Sequence, residues 1–226
     1  MSSSYLSLCQ KLRQEVGIAG AGPSTVMGQF GMLAKVVEWI ADADVKLQSR
    51  WLDWDFLWTQ FAVNTISGTK DYVAPTDIGL WDEDSFYLNY DSTSPIRLTK
   101  MAYKDWRSIY PNSENNTPAY FVLKPSKDIL LHSTPDAIYA LTADYWKAPV
   151  RLLANGDVSP IPTRFDRLIV AQAKIYYAEH ENASEVMQGA VNEYNELLPT
   201  LEATYLPGRH NTFAKSTDDN MVIRPE

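Results

Sequence analysis

The sequence holds one cysteine, Cys9, and three histidines, His132, His180 and His210. A lone cysteine cannot close an internal disulfide, and the scattered histidines lack the spacing of a zinc or thiol site. No apolar run approaches the roughly 20 residues that cross a bilayer, and Met1-Ser2-Ser3-Ser4 lacks the basic start and apolar stretch of a secretory signal. These absences lead to the expectation of no membrane partner and of a chain that stays in the reducing cytoplasm where it is made. Positive charge is also short: 20 Lys and Arg stand against 28 Asp and Glu, for a net charge of −8. Nucleic-acid binding rests on clustered Lys and Arg that displace counterions, so affinity for DNA phosphates is not expected.

Signatures of catalysis are missing as well. The glycine-rich run Gly17-Ile18-Ala19-Gly20-Ala21-Gly22-Pro23-Ser24 follows a helical pattern and carries no lysine, so it reads as a linker and not as a phosphate cradle. Asp136 with Asp144-Tyr145-Trp146-Lys147 resembles a nuclease motif, but its acid and lysine stand three apart where that motif needs two. The acid groups Asp42 with Asp44, Asp53 with Asp55, and Asp82-Glu83-Asp84 read as solvated surface in an acidic chain. No catalytic residue, cofactor or metal is therefore assigned, and the chain is not read as an enzyme.

What is present is a globular composition, 45% hydrophobic over 226 residues, with an excess of aromatics: 7 Trp and 13 Tyr. Such side chains fill cores and concentrate at protein interfaces. Tyr5, Leu8, Cys9, Leu12 and Val16 recur at helical spacing behind a serine-rich start, and Gly17 stops that helix. A second helix carries Leu33, Val36, Val37, Ile40 and Leu47 on one stripe, with Lys35, Glu38, Asp42, Lys46 and Gln48 outside it, and ends near Ser49 or Arg50. Trp51, Trp54, Trp58 and Phe61 then share a face if the helix continues or restarts.

From about Phe61 the period changes. The stretches 85–90, 96–102, 120–124, 129–132 and 138–146 are short, rich in aromatic and branched residues, and separated by Pro, Asn, Ser and Asp, the pattern of an antiparallel β region. Hairpins are expected at Asp91-Ser92-Thr93-Ser94-Pro95 and at Pro125-Ser126-Lys127-Asp128, with a short helix over 103–110 and an exposed loop over 111–117. Helix returns after Pro160-Ile161-Pro162, where Thr163 with Asp166 signals a start; Phe165, Leu168, Ile169, Gln172 and Tyr176 form one face, and Ile175 and Tyr177 widen it for packing on two sides. Asn182-Ala183-Ser184 breaks it. The last helix sets Met187, Ala190, Val191, Tyr194, Leu198 and Leu201 together, with Glu185, Glu193 and Glu196 opposite, and Pro199 should kink it or start a new turn. Beyond Leu206 no period remains, yet Phe213, Met221, Val222 and Ile223 are apolar for a free tail. Two readings stay open there: a frayed end, or a segment that orders on a partner.

The fold class is thus α+β: a helical bundle from residues 1–66 and 151–206, an antiparallel β insertion over 67–150, and an extended tail over 207–226. That organisation, with the run Ser133-Thr134-Pro135-Asp136-Ala137-Ile138-Tyr139-Ala140-Leu141-Thr142-Ala143-Asp144-Tyr145-Trp146-Lys147-Ala148-Pro149, resembles the head-to-tail adaptor (connector) proteins of tailed bacteriophages. Tyr5-Leu6-Ser7-Leu8-Cys9-Gln10, Glu15-Val16-Gly17, Val37-Glu38-Trp39-Ile40-Ala41-Asp42-Ala43, Gly68 with Tyr72, and Asn155-Gly156-Asp157-Val158-Ser159-Pro160-Ile161-Pro162 follow as landmarks in the family's order, over about residues 5 to 205.

The resemblance implies a structural protein of the virion neck, assembled in the host cytoplasm. It implies a homo-oligomeric ring, usually a dodecamer, that docks under the portal protein and meets tail proteins of nozzle, tube or fibre type. DNA passes through such a ring without specific binding. The bundle would form the ring body, and the tail with Phe213, Met221, Val222 and Ile223 would reach the portal. Residues 151–206 hold eight acids against four bases, half the net charge. Glu185, Glu193 and Glu196 are accordingly expected to face the channel, where negative charge repels phosphate; the alternative is an ordinary solvated helix face. A rival reading of the whole chain is a carbohydrate-binding or other aromatic-rich β binding module of a virion or tail protein.

Overall fold

The computed structural model describes residues 3–89, 95–109 and 115–206. In chain order these form α1 (Tyr5–Glu15), α2 (Gly31–Gln48), β1 (Trp58–Asn64), β2 (Asp71–Tyr72), β3 (Ile78–Trp81), β4 (Tyr87–Asn89), β5 (Ile96–Arg97), β6 (Thr99–Met101), α3 (Tyr103–Ile109), β7 (Tyr120–Leu123), β8 (Ile129–His132), β9 (Ala140–Lys147), α4 (Asp166–Glu181) and α5 (Ser184–Tyr205). The chain divides into two units, one from residues 1–56 with 149–226 and one from 57–148. It is α+β, with helices from both ends of the chain and the strands between them. The tail over 207–226, and residues 91–94 of the 91–95 turn expected in the first hairpin, lie outside the described residues.

In the helical unit α1 starts because the Ser4 hydroxyl accepts from the Ser7 amide, and it stops where Gly17 turns to a positive φ of 72°. Tyr5, Leu8, Cys9 and Leu12 are buried, as their spacing predicts, and the Tyr5 hydroxyl donates to the Val37 carbonyl of α2 at 2.7 Å. Helix α4 packs against α1, α2 and α5, and Leu168, Ile169, Val170, Ala171 and Ala173 are buried on more than one face, as a helix packed on two sides requires. It ends at Asn182, whose left-handed backbone reverses the chain into α5. Helix α5 continues through Pro199 to Tyr205, so no new turn starts there. Asn195, whose carbonyl the proline leaves unpaired, is exposed, so water can take the missing donor's place.

The β unit is two small sheets around one core. In the first, β9 is central: β1 lies along one edge, and β3 and β4 share the other, followed by β5. The second runs β2-β8-β7-β6. Phe86 and Phe121 stack with ring centroids 3.8 Å apart, joining the sheets, and Trp81 meets Phe61, Phe86 and Tyr145. Gly79 is required by the close approach of β9, since a Cβ there would lie 2.9 Å from the Lys147 carbonyl oxygen. Both expected hairpins are present as the antiparallel pairs β4–β5 and β7–β8, and the short helix is α3.

Three expectations are corrected. Residues 58–64, placed with the helical part, form a strand: a 3-10 turn over Asp55–Leu57 breaks the run, and the alternation of Thr59, Phe61 and Val63 against Trp58, Gln60, Ala62 and Asn64 takes over. The tryptophans therefore share no face; Trp54 is fully buried while Trp58 is 50% exposed. The β region is not wholly antiparallel, because β6 and β7, separated in sequence by α3, pair in parallel. Gln48, expected outside the α2 stripe, and Asp44, expected on the surface, are both fully buried.

Candidate functional site

Asp44 and Gln48 lie one turn apart on α2 and face the segment that returns from the β unit in sequence. The Gln48 amide donates to Asp44 Oδ2 at 2.7 Å and to the Val150 carbonyl at 3.1 Å, while its Oε1 accepts from the Val150 amide at 2.9 Å. The Ser159 hydroxyl donates to Asp44 and accepts from the Ile161 amide. The Gln48 side chain thus gives Val150 the backbone pairing that a neighbouring strand would otherwise give, and Asp44 holds Gln48 and Ser159 in place. Burial pushes the Asp44 carboxyl up to about 6, partly offset by the Ser159 and Gln48 hydrogen bonds. A perturbed acid of this kind can mark a catalytic site. Here every partner is structural and no solvent reaches the group, so its role is to hold residues 150–161 on α2.

A second polar seam crosses three helices. Lys174 on α4, only 15% exposed at its side chain, pairs with Glu15 of α1 and with Glu193 of α5 at 3.2 Å, and Arg167 donates to Glu193 through Nε at 2.7 Å and a terminal nitrogen at 2.6 Å. Burial raises the Glu193 carboxyl, but Lys174 and Arg167 outweigh it and hold the group below the usual range. Glu193 is thereby compensated within its own unit. Glu185 and Glu196 are exposed and differ from it in that respect.

At the far end of α5, Glu202 accepts from Arg50 Nε at 2.7 Å and from the Trp51 indole at 2.9 Å. Tyr205 packs edge-on against Phe56 and Phe165, and the Arg164 guanidinium lies 5.1 Å from its ring centre. Leu206 is buried. These contacts fix the point from which residues 207–226 depart. Phe213, Met221, Val222 and Ile223, expected to contact the portal, lie beyond it and outside the described residues.

The remaining candidates do not converge. His132 is in β8; His180, on α4, rests on Trp39 and bonds Glu181; and His210 is outside the described residues. Cys9 is buried, which pushes its thiol up to about 12, far from a reactive thiolate. Among the described residues no group of His, Cys, Asp and Glu is placed to hold a metal, and no helix is long and apolar enough to cross a membrane. Part of the aromatic excess serves the core: Trp54, Trp81, Phe86, Phe121 and Tyr145 are all buried.

Polar seams thus tie the return segment to α2 and join α1, α4 and α5, while the β unit is held by its own aromatic core. Residues 3–211 match the family described as SU10 adaptor protein, and the chain belongs to this family of phage head-to-tail adaptors. No curated protein matches it. The Asp44–Gln48–Ser159 seam was missed in the sequence because polar residue type was weighed above helical phase. Ile40, Asp44 and Leu47 follow one another at intervals of four and three, which is the signal that places Asp44 inside.

Proposed function

We propose that this protein is one subunit of a homo-oligomeric ring, a dodecamer by analogy with such adaptors, that docks beneath the portal of a filled phage head and joins the tail to it. The observation that carries this reading is membership of the adaptor family over residues 3–211. The helical unit is the ring body in this account, and its polar seams suit a part that must keep its shape while bearing load. Residues 207–226, with Phe213, Met221, Val222 and Ile223, are the portal-binding segment, and the fixed end of α5 sets where they start. Tail proteins are met by the β unit. No step of bond making or breaking is assigned, and DNA passes without specific binding. The virion neck is the location, reached by assembly in the host cytoplasm.

Glu185 and Glu196 are the channel-facing acids in this proposal, and Glu193 contributes little because Arg167 and Lys174 neutralise it. Replacing Glu185 and Glu196 by Lys in assembled particles is expected to slow DNA ejection; unchanged retention and ejection would remove the channel assignment. The docking claim is tested by mixing the full chain, or the chain lacking residues 208–226, with purified portal rings. The full chain should co-sediment with the portal and the truncated one should not. Equal binding by both would overturn the tail's role, and binding by neither would overturn the docking.

A further inference from the structure

Sheets expose unpaired backbone at their edges, and folded proteins ordinarily blunt those edges with short strands, lysines, prolines or bulges. Most edges of this β unit are blunted. Strands β2 and β5 have two residues each and β6 has three. On β3, Lys127 Nζ caps the carbonyls of Ile78 and Gly79 at 3.0 and 2.6 Å. Strand β1 differs on every count. It runs seven residues, Trp58-Thr59-Gln60-Phe61-Ala62-Val63-Asn64, in regular alternation, with no charge, no proline and an unbroken register against β9.

The direction of its free groups follows from β9. The Asp144 amide bonds Ser85 and its carbonyl accepts from the Asp82 amide, so both point toward β3 and β4. Alternate residues of an antiparallel strand share a direction, so Leu141, Ala143 and Tyr145 turn their backbone groups to β1. Their partners in the register are Val63, Phe61 and Thr59. The bond from the Thr65 amide to the Tyr139 carbonyl continues the same series. Trp58, Gln60, Ala62 and Asn64 therefore aim N–H and C=O away from the sheet. All four are exposed, and among the described residues no group is bonded to that edge.

We infer that this edge pairs with β1 of a second copy. The strand is complementary to itself in an antiparallel register centred on Phe61. Trp58 then faces Asn64 of the second copy and Gln60 faces its Ala62, and each of these pairs can exchange two hydrogen bonds, so every outward group is satisfied. On the core side Thr59 meets Val63 and Phe61 meets Phe61, extending the apolar layer across the two-fold. The strand carries no charge, so no like charges are opposed. No other described edge is long enough to receive β1, which leaves the isologous pair as the match between copies. Such a pair closes at two copies and uses nothing assigned to portal docking, although it lies in the unit that the proposed function turns to tail proteins, and its test needs neither portal nor tail.

The test is sedimentation of the full chain across concentration, with amide hydrogen exchange. A dimer should form as concentration rises. The amides of Gln60, Ala62 and Asn64 should become protected with it, while those of Thr59, Phe61 and Val63 stay protected throughout. Ala62→Pro removes one outward N–H and spares the β1–β9 ladder, so it should sediment as a monomer at every concentration. If that variant does not fold, Gln60→Lys with Ala62→Lys opposes like charges across the two-fold and should have the same effect. A wild-type chain that stays monomeric throughout, or a dimer that survives the substitution that folds, overturns the proposal.

Discussion

The two units solve the problem of holding short elements together in different ways. In the helical unit, polar side chains reach between elements: Lys174 joins three helices, Asp44 and Gln48 clasp a loop, and Glu202 ties α5 to the end of α2. In the β unit the joining is done by stacked aromatics, while the ion pairs Arg97–Asp84, Lys100–Glu83 and Lys124–Asp71 sit in solvent. Aromatic burial is indifferent to pH and partner identity. A seam of charged and amide groups is sensitive to both, because removing one member strands another.

The contrast can be broken first in the β unit. Phe121→Ala removes one ring of the pair that joins the sheets and should cost about 3–5 kcal/mol, read as a lowered denaturation midpoint of the β signal. A loss below about 1 kcal/mol would mean that the aromatic core is not what holds the sheets.

The helical unit should respond to pH instead. Between pH 3.8 and about 6 folded Asp44 keeps a proton that the unfolded chain has released, so this group's contribution falls as pH rises through that window. The full change is at most about 3 kcal/mol, from the size of the shift. Asp44→Asn retains an acceptor for Gln48 and should flatten the difference in stability between pH 4 and pH 7 relative to the wild type.

Glu193 acts in the opposite sense. Its folded value lies below the usual one, so its contribution is present above the unfolded pKa and is lost as pH falls through the folded pKa. Lys174→Met should weaken the unit by about 1–3 kcal/mol at neutral pH and by less in acid, as followed by urea unfolding at both. The smallest effect is expected at the surface of the β unit, where Arg97→Ala should change stability by no more than about 0.5 kcal/mol. A larger loss there would erase the distinction between the units.

Legibility in the sequence followed the same division of labour. Apolar periodicity revealed α1, the two-sided α4, the buried stripe of α5 and the β7–β8 hairpin, because burial of apolar surface is what those patterns record. Strand β1 was hidden by three tryptophans at helical spacing, and only the 3-10 turn at Asp55–Leu57 separates them physically. The parallel β6–β7 pair joins strands that are separated in sequence by α3, and no local pattern encodes its direction. Asp44, Gln48 and Glu193 were read by residue type as surface or channel groups, yet their places are set by partners far away in the sequence, Ser159, Val150, Lys174 and Arg167. The seams were thus the least legible part of the candidate site, and the resemblance to phage adaptors was carried by the order of landmarks and not by any one of them.

The central claim is best tested by imaging the full chain mixed with the portal ring of its phage. The account predicts a closed ring of copies at the tail-facing end of the portal, with the helical units forming its wall and an open axial passage. Portal rings that remain bare at saturating protein, or copies bound without closing a ring, would contradict it.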